Sequence, residues 1–324
     1  MKQRRISGLD RDVSVVGFGC WAVSGADIWN GSTDTESVRT IERAIDLGVT
    51  FFDVAPVYGY GHAEEVLGRA LRGKRDSVVV ASKCGLLWDD AHATRNCLKP
   101  ESVKREIEDT LRRLGTDHVD LYQLHWPDPS TPIEETMEAL DQIRRQGKII
   151  AVGVSNFPVS LTQRAMSVGR VSSQQCLYNV LERNETSYHS IPLEYRTEEE
   201  VLPFCAEHDQ AFFPYSPLCQ GLLTGTFRAQ DNFDEHDVRS QNPKLRGSSL
   251  AYYLSIVDEL EDLARRIGHP LNEVALNWLI SHPEVTSVIA GAQTPSHVEA
   301  NVASAEWDLD AESMKQIDRI VTRR

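Results

Sequence analysis

The chain has no C-x-x-C pair, no run of 18 apolar residues, no G-x-G-x-x-G turn and no excess of positive charge. Each absence removes a class of protein. Its six cysteines, at 20, 84, 97, 176, 205 and 219, are scattered, and none combines with histidine at zinc spacing. A metal site or a disulfide framework is therefore not expected. Scattered thiols suit a reducing compartment, and the cytoplasm is the expected location. The opening MKQRRISGLD carries basic residues with no apolar segment behind them, so no secretory leader is read there, and nothing is long enough to span a bilayer. With 48 acidic against 34 basic side chains the formal net charge is −14. Such a surface repels phosphate backbones and anionic lipid, so neither nucleic acid nor membrane is an expected partner. Oligomeric state is left open, with a monomer as the default.

What is present is ordinary globular composition: 324 residues, 41% hydrophobic and 25% charged. That length accommodates two average domains or one large α/β barrel, and it can bury a sizeable core without staples. Short β-branched runs alternate with amphipathic stretches of helical length. Strands are expected at 13–19, 50–55, 77–83, 118–125, 149–155, 173–179, 211–216 and 285–291. Helices are expected at 35–48, closed by Gly48, and at 62–71, 100–115, 132–147, 159–169, 198–209, about 252–267, 271–281 and from about 296. Pro100 and Glu101 suit a first helical turn, and Thr131 is the expected N-cap of the fourth helix. Eight strand–helix units demand parallel strands with right-handed crossovers. After the first strand Gly17-Phe18-Gly19 runs into Cys20-Trp21, which rules out a Rossmann phosphate turn. The fold expected is an α/β (β/α)8 TIM barrel, one domain over 1–324. An N-terminal β-hairpin should plug its floor, with an extra C-terminal helix at 310–321.

Active sites of such barrels lie at the C-terminal ends of the strands. The second strand ends in Asp53, with Tyr58 in its loop; the third ends in Lys83 and the fourth in His125-Trp126. The fifth ends in Ser155-Asn156, the sixth runs from Gln175 to Asn179, and the seventh ends in Tyr215-Ser216. Singly, each residue type is unremarked at a barrel mouth, where a carboxylate or a histidine commonly serves packing. Together they form a proton-handling set. Reduction of a carbonyl needs a proton donor at oxygen; a phenol with pKa about 10 releases its proton more readily beside an ammonium. Asp53 would hold that ammonium, and a neutral His125 would orient the substrate oxygen. Metal-assisted hydrolysis needs several convergent histidine and carboxylate ligands, and only one histidine lies at these ends.

FDVAPVYGYGHAEEVLGRAL (52–71), VVVASK (78–83), VDLYQLHWPD (119–128), GKIIAVGVSNF (147–157), PYSPLCQGLLTG (214–225) and VIAGAQTPSHVEANV (288–302) closely resemble the aldo-keto reductase family. These blocks run in family order along essentially the whole chain, and they are most similar to the bacterial general-stress and inositol-operon reductases. The resemblance implies an NAD(P)-dependent oxidoreductase acting on a small carbonyl or alcohol, with no metal. Tyr58 would be the general acid/base, Lys83 its partner, Asp53 the partner of Lys83, and His125 the orienting donor. Ser155, Asn156 and Gln175 would bind the nicotinamide carboxamide, and Tyr215 would stack on its ring. Gly19, Trp21 and Asp53 would border the cofactor. Ser216, Pro217, Leu218, Gly221 and Leu222 would wrap the pyrophosphate, while Gly291, Gln293, Thr294, His297 and Asn301 would lie near the adenosine.

Three departures bear on the nucleotide. Gln293 stands where NADPH-preferring relatives commonly carry Arg or Lys, which forfeits a charge-assisted bond to a 2′-phosphate. Thr226 follows GLLTG in place of lysine, although Arg228 is close, and Ala300 replaces an acidic residue before Asn301. NADP(H) is favoured only slightly, and NAD(H) stays open. Trp21, Trp29, Trp88 and Trp126, with Tyr58 and His125, would line an open substrate pocket tolerant of aldehydes, sugars or polyols. Cys84 reads as a small buried hydrophobe and Cys219 as the more oxidation-sensitive thiol; the run at 231–239 reads as a solvated flap. From a different class, a nicotinamide-binding redox-sensing subunit would also keep the four residues. A ligand-binding barrel without turnover would have lost Tyr58 or Lys83.

Overall fold

The structure, a computed structural model, describes residues 1–25, 33–227 and 238–322. The chain starts as an antiparallel hairpin, Gln3–Ile6 against Arg11–Ser14. The barrel strands follow: β1 (Val16–Gly19), β2 (Phe51–Asp53), β3 (Val79–Cys84), β4 (Val119–Leu124), β5 (Ile149–Ser155), β6 (Ser173–Leu177), β7 (Ala211–Tyr215) and β8 (Val288–Gly291). They form one parallel sheet in the order β7-β6-β5-β4-β3-β2-β1-β8. Its two edges meet through a bridge between Phe212 and Val285, where Thr286 N donates to Phe212 O at 2.8 Å. The ring is thus nearly closed, a (β/α)8 TIM barrel.

The first expected strand, 13–19, is divided at Val15. The chain turns there from the floor hairpin into the barrel wall, and Ser14 Oγ donates to Val16 O across the bend. Ile6, Leu9 and Val13 of the hairpin pack with Phe51, Val79, Leu121, Phe213 and Ile289 from the barrel interior. This plug gives the lower half of the barrel a dry core. Polar inward positions therefore gather in the upper half, where Lys83, Gln123, Gly153 and Ser173 occupy matched register on β3 to β6.

Helices α1 (Asp34–Asp46), α2 (His62–Ala70), α3 (Pro100–Leu114), α4 (Ile133–Arg145) and α5 (Val159–Met166) cover the first half of the barrel. The second half is covered by α6 (Leu202–Glu207), α7 (Gly247–Ile267), α8 (Leu271–Ile280), α9 (Pro295–Ala303) and the additional α10 (Ala311–Thr322). α3 begins on Pro100 and stops at left-handed Gly115, the usual asymmetry of helix ends. Two starts differ from expectation. Thr131 does not cap α4, because its hydroxyl donates to Asp128 Oδ2 at 2.8 Å and Pro132 occupies the cap position. The sixth helix opens as a π-turn at Thr197–Val201 before becoming regular, a widening common beside functional loops. Two short hairpins, Leu86–Trp88 with Thr94–Asn96 and Ser187–Tyr188 with Ile191–Pro192, sit in stretches where no element was expected. Among the described residues no helix is long and apolar enough to cross a membrane, and no cluster of His, Cys, Asp or Glu is placed to hold a metal ion.

Candidate active site

β2 ends on Asp53, and the loop behind it turns tightly through Gly59 and Gly61, both at positive φ. A side chain at Gly59 would bring its Cβ to 2.1 Å from Ser24 O, so only glycine allows the approach that seats Tyr58. The Tyr58 ring lies edge-on to Trp21 at 4.7 Å and edge-on to His125 at 5.9 Å. Lys83, at the end of β3, is fully buried. Its Nζ donates to Asp53 Oδ1 at 2.8 Å, to Asp53 Oδ2 at 2.7 Å and to Val54 O at 3.2 Å, and reaches Tyr58 OH at 3.1 Å. Four residues from three strand ends and one loop are therefore gathered in one buried group.

Burial, then the Asp53 charge, holds the Tyr58 phenol well above its ordinary range. Sequence reasoning had Lys83 lower it. In the folded site the ammonium is already committed to Asp53, and burial dominates. Tyr58 thus keeps its proton throughout neutral pH. Burial also draws Lys83 down, opposed by Asp53. His125 is pushed well below its ordinary range by burial and by the Lys83 charge, so its imidazole is neutral and can serve as a hydrogen-bond donor.

The Asp53 carboxylate has two further donors. Gln175 Nε2 reaches Oδ1 at 2.8 Å, and Gln123 Nε2 reaches the same oxygen at 3.3 Å. Next to Gln175, Ser155 Oγ donates to Gln175 O at 2.9 Å, and Asn156 Nδ2 donates to His125 O and to Ser155 Oγ, each at 3.1 Å. Asn156 sits at φ +60°, a conformation asparagine tolerates, and its Oδ1 accepts from both Tyr195 and Tyr215 at 2.9 Å. Ser155, Asn156, Gln175 and Tyr215 therefore form one surface beside the buried group.

The segment after β7 is irregular. Ser216, Cys219, Gln220 and Gly221 all have positive φ, which bends the 216–222 backbone back on itself over the mouth. Asn179 Nδ2 fixes Ser216 O at 2.9 Å, and Asn242 Nδ2 fixes Gln220 Oε1 at 2.9 Å. Lys244 is clamped between Glu182 at 2.5 Å and Glu185 at 2.7 Å. At the end of β8, Asn301 Nδ2 donates to Gly291 O at 3.2 Å. Thr294 caps α9 by accepting from His297 N at 3.3 Å, and Thr40 Oγ1 donates to Gln293 O at 3.2 Å. Gly19 packs against this strand: a Cβ there would meet Ile289 at 2.8 Å.

Trp21, Trp88 and Trp126 are all half-buried, and Trp126 packs against the hydrophobic core cluster that includes Leu177, Phe212 and Leu222. Trp29, Arg228 and most of the 231–239 run lie outside the described residues. Sequence reasoning missed Tyr60 and His92, which stack at 3.8 Å and 18° beside Trp88. It also missed Tyr195, Gln123, Asn242 and Lys244, which lie in aperiodic stretches or inside a strand and carry no local signal. Cys84 is buried as expected. Cys219 corrects an expectation: it is 1% exposed and burial pushes its thiol well up, so it is an inert thiol.

Behind Lys83, Glu106 of α3 accepts from Gly85 N at 2.9 Å and from Ser102 Oγ at 3.0 Å. Burial raises this carboxyl from 4.5 to about 7. Between those values the folded chain holds more protons than the unfolded one. Stability from Glu106 is therefore full below the unfolded value and is lost as pH rises through the folded one. Glu106→Gln removes the charge, while its amide oxygen can accept from Gly85 N and its NH2 can donate to Ser102 Oγ. It should remove about 3 kcal/mol of the stability loss between mildly acidic and mildly alkaline pH. The check is the denaturation midpoint against pH; an unchanged slope would count against it.

A buried carboxylate, ammonium, phenol and neutral imidazole at a barrel mouth, beside an amide-lined surface, define an oxidoreductase that moves hydride and proton. Comparison with known proteins agrees. The Aldo/keto reductase family model matches residues 15–322. Among relatives, an aldo-keto reductase of Bacillus subtilis, YhdN, is 36% identical over 99% of this chain and 94% of its own length. The NADH-specific methylglyoxal reductase of Escherichia coli is 30% identical over the full length of both. Among solved structures, the glycerol dehydrogenase of Gluconobacter oxydans superposes with a TM-score of 0.88 at 36% identity, covering 99% of this chain and 95% of that one. The chain belongs to the aldo-keto reductase family and is an NAD(P)H-dependent oxidoreductase of carbonyls and alcohols.

Proposed function

We propose that Tyr58 is the proton donor to the carbonyl oxygen in reduction and the acceptor in alcohol oxidation, with the whole chain, 1–324, acting as one barrel domain. The observation that carries this is the 3.1 Å contact between Lys83 Nζ and Tyr58 OH, with the ammonium held on Asp53. Neutral His125, facing Tyr58, donates to the same substrate oxygen and fixes its direction. Ser155, Asn156 and Gln175 offer the amide and hydroxyl chemistry that a carboxamide needs, and Tyr215 closes that surface. These residues fit a nicotinamide. When bound, it supplies the hydride to the carbonyl carbon. The 216–222 backbone, with Gly221 open at its Cβ position, suits a pyrophosphate, and Gly291, Gln293, Thr294, His297 and Asn301 suit the adenosine end.

The substrate proposed is a small aldehyde, sugar or polyol. A glycerol dehydrogenase and a methylglyoxal reductase among the relatives support that class. NADP(H) is slightly favoured and NAD(H) accepted: one relative is named NADH-specific, and a Klebsiella pneumoniae relative was solved with NADP. The protein is proposed to be cytoplasmic and monomeric.

The test is titration with NADPH and NADH by tryptophan fluorescence, together with turnover of 4-nitrobenzaldehyde, methylglyoxal, glyceraldehyde and a sugar panel. Expected are saturable quenching by both nucleotides, tighter for NADPH, and turnover of several carbonyls. Binding without turnover of any carbonyl or alcohol would favour a redox-sensing subunit. A sharp preference for one substrate would overturn the open pocket.

A further inference from the structure

Gln123 lies on β4 two residues before His125, so its side chain points into the barrel. It is fully buried and donates Nε2 to Asp53 Oδ1 at 3.3 Å. Its Oε1 is buried and has no partner among the described residues. The reversed amide would set Oε1 against the carboxylate and leave both N–H groups unpaired, so donation to Asp53 is the orientation that fits. The neighbouring strands make room for it. A Cβ at Gly153 would come within 3.1 Å of Gln123 Cγ and 2.2 Å of Ser173 Oγ, so glycine is what lets the glutamine stem lie along the wall.

An orphaned buried carbonyl is a cost that methionine or leucine, of similar volume, would not carry. What the glutamine adds at that cost is one more donor on Asp53. We propose that Gln123 is a positioning residue for proton transfer: its amide holds the Asp53 carboxylate in place and, through Lys83, aligns the ammonium with the phenol. Each donor on Asp53 spreads its negative charge, and less of that charge then opposes release of the Tyr58 proton. Gln175 adds a second donor from the side that would face the nicotinamide, so the carboxylate is braced from two strands. The inference rests on Tyr58 being the proton donor and acceptor.

The experiment compares the parent with Gln123→Met and Gln123→Leu in alcohol oxidation with NADP+, using glycerol or 4-nitrobenzyl alcohol, whichever the parent oxidises faster. In both variants Tm should equal or exceed that of the parent. kcat near neutral pH should fall about tenfold. The pH of half-maximal kcat should move up by about one unit, the same tenfold seen as a protonation equilibrium, so that alkaline pH restores the rate. KM for the alcohol should stay within about twofold. An unchanged pH profile overturns the proposal. So does a loss of Tm that tracks the loss of kcat, or failure of both variants to fold, since Gln123 would then serve the barrel and not the proton. Tyr58→Phe is measured alongside. Turnover surviving in it would sink the parent reading, whereas an inactive Tyr58→Phe with an unaltered Gln123→Met removes this inference alone.

Discussion

Tyr58→Phe should lower carbonyl reduction by about 10²–10⁴-fold while leaving nicotinamide affinity within about twofold. Among the described residues, the phenol is the group with a releasable proton that both touches Lys83 and faces His125. Phenylalanine retains the ring, its edge contact with Trp21 and the glycine turn that carries it, so fold and cofactor surface should survive. Fluorescence titration and steady-state kinetics on the same preparation separate the two effects. The parent's pH dependence has a definite sign. Burial and Asp53 keep the phenol protonated well above its ordinary range, so reduction should hold steady through neutral pH. Alcohol oxidation needs the phenolate and should climb as pH rises. His125, neutral because of burial and Lys83, should impose no acid limb near its ordinary range. Turnover by Tyr58→Phe within tenfold of the parent would assign the proton to another group.

Lys83→Met should cost about 3–5 kcal/mol of stability as well as activity. Asp53 is 2% exposed and takes two charge-assisted bonds from this ammonium. Removing the cation leaves a buried carboxylate braced, among the described residues, by the two neutral amides of Gln123 and Gln175. The double variant Asp53→Asn/Lys83→Met removes both charges, so it should regain most of the stability and none of the activity. Urea midpoints for the single and double variants give the comparison. If the double variant were no more stable than the single one, the loss would come from packing of the lysine stem and not from the stranded charge.

Much of the barrel is legible in the chain because its strands and helices are local patterns with clear punctuation. The run 149–155 is a strand from end to end, and Pro100, Gly115 and Gly48 mark helix ends by backbone geometry alone. Where expectation failed, a competing contact had taken over the side chain. Thr131 lost its capping role to a bond with Asp128, and Cys219 lost its exposure to packing around Glu182 and Lys244. The hairpin carrying Trp88 and His92 is too short to show an alternating pattern, so the Tyr60–His92 stack could not be foreseen.

The sequence by itself determined that Asp53, Lys83 and His125 stand at strand ends and Tyr58 in the loop between, because period, turn residues and loop order are one-dimensional properties. Spacing and charge also gave no reason to expect metal or nucleic-acid chemistry. Only the tertiary structure decided which protons these groups hold. Tyr58 holds its proton well above the ordinary range despite its lysine neighbour, because closing the barrel buries the phenol and commits the ammonium to Asp53. The same closure brings Gln123 and Gln175, 52 positions apart in the chain, onto one carboxylate oxygen. Solvation and convergence depend on what surrounds a side chain in three dimensions, and no local pattern in the chain encodes them.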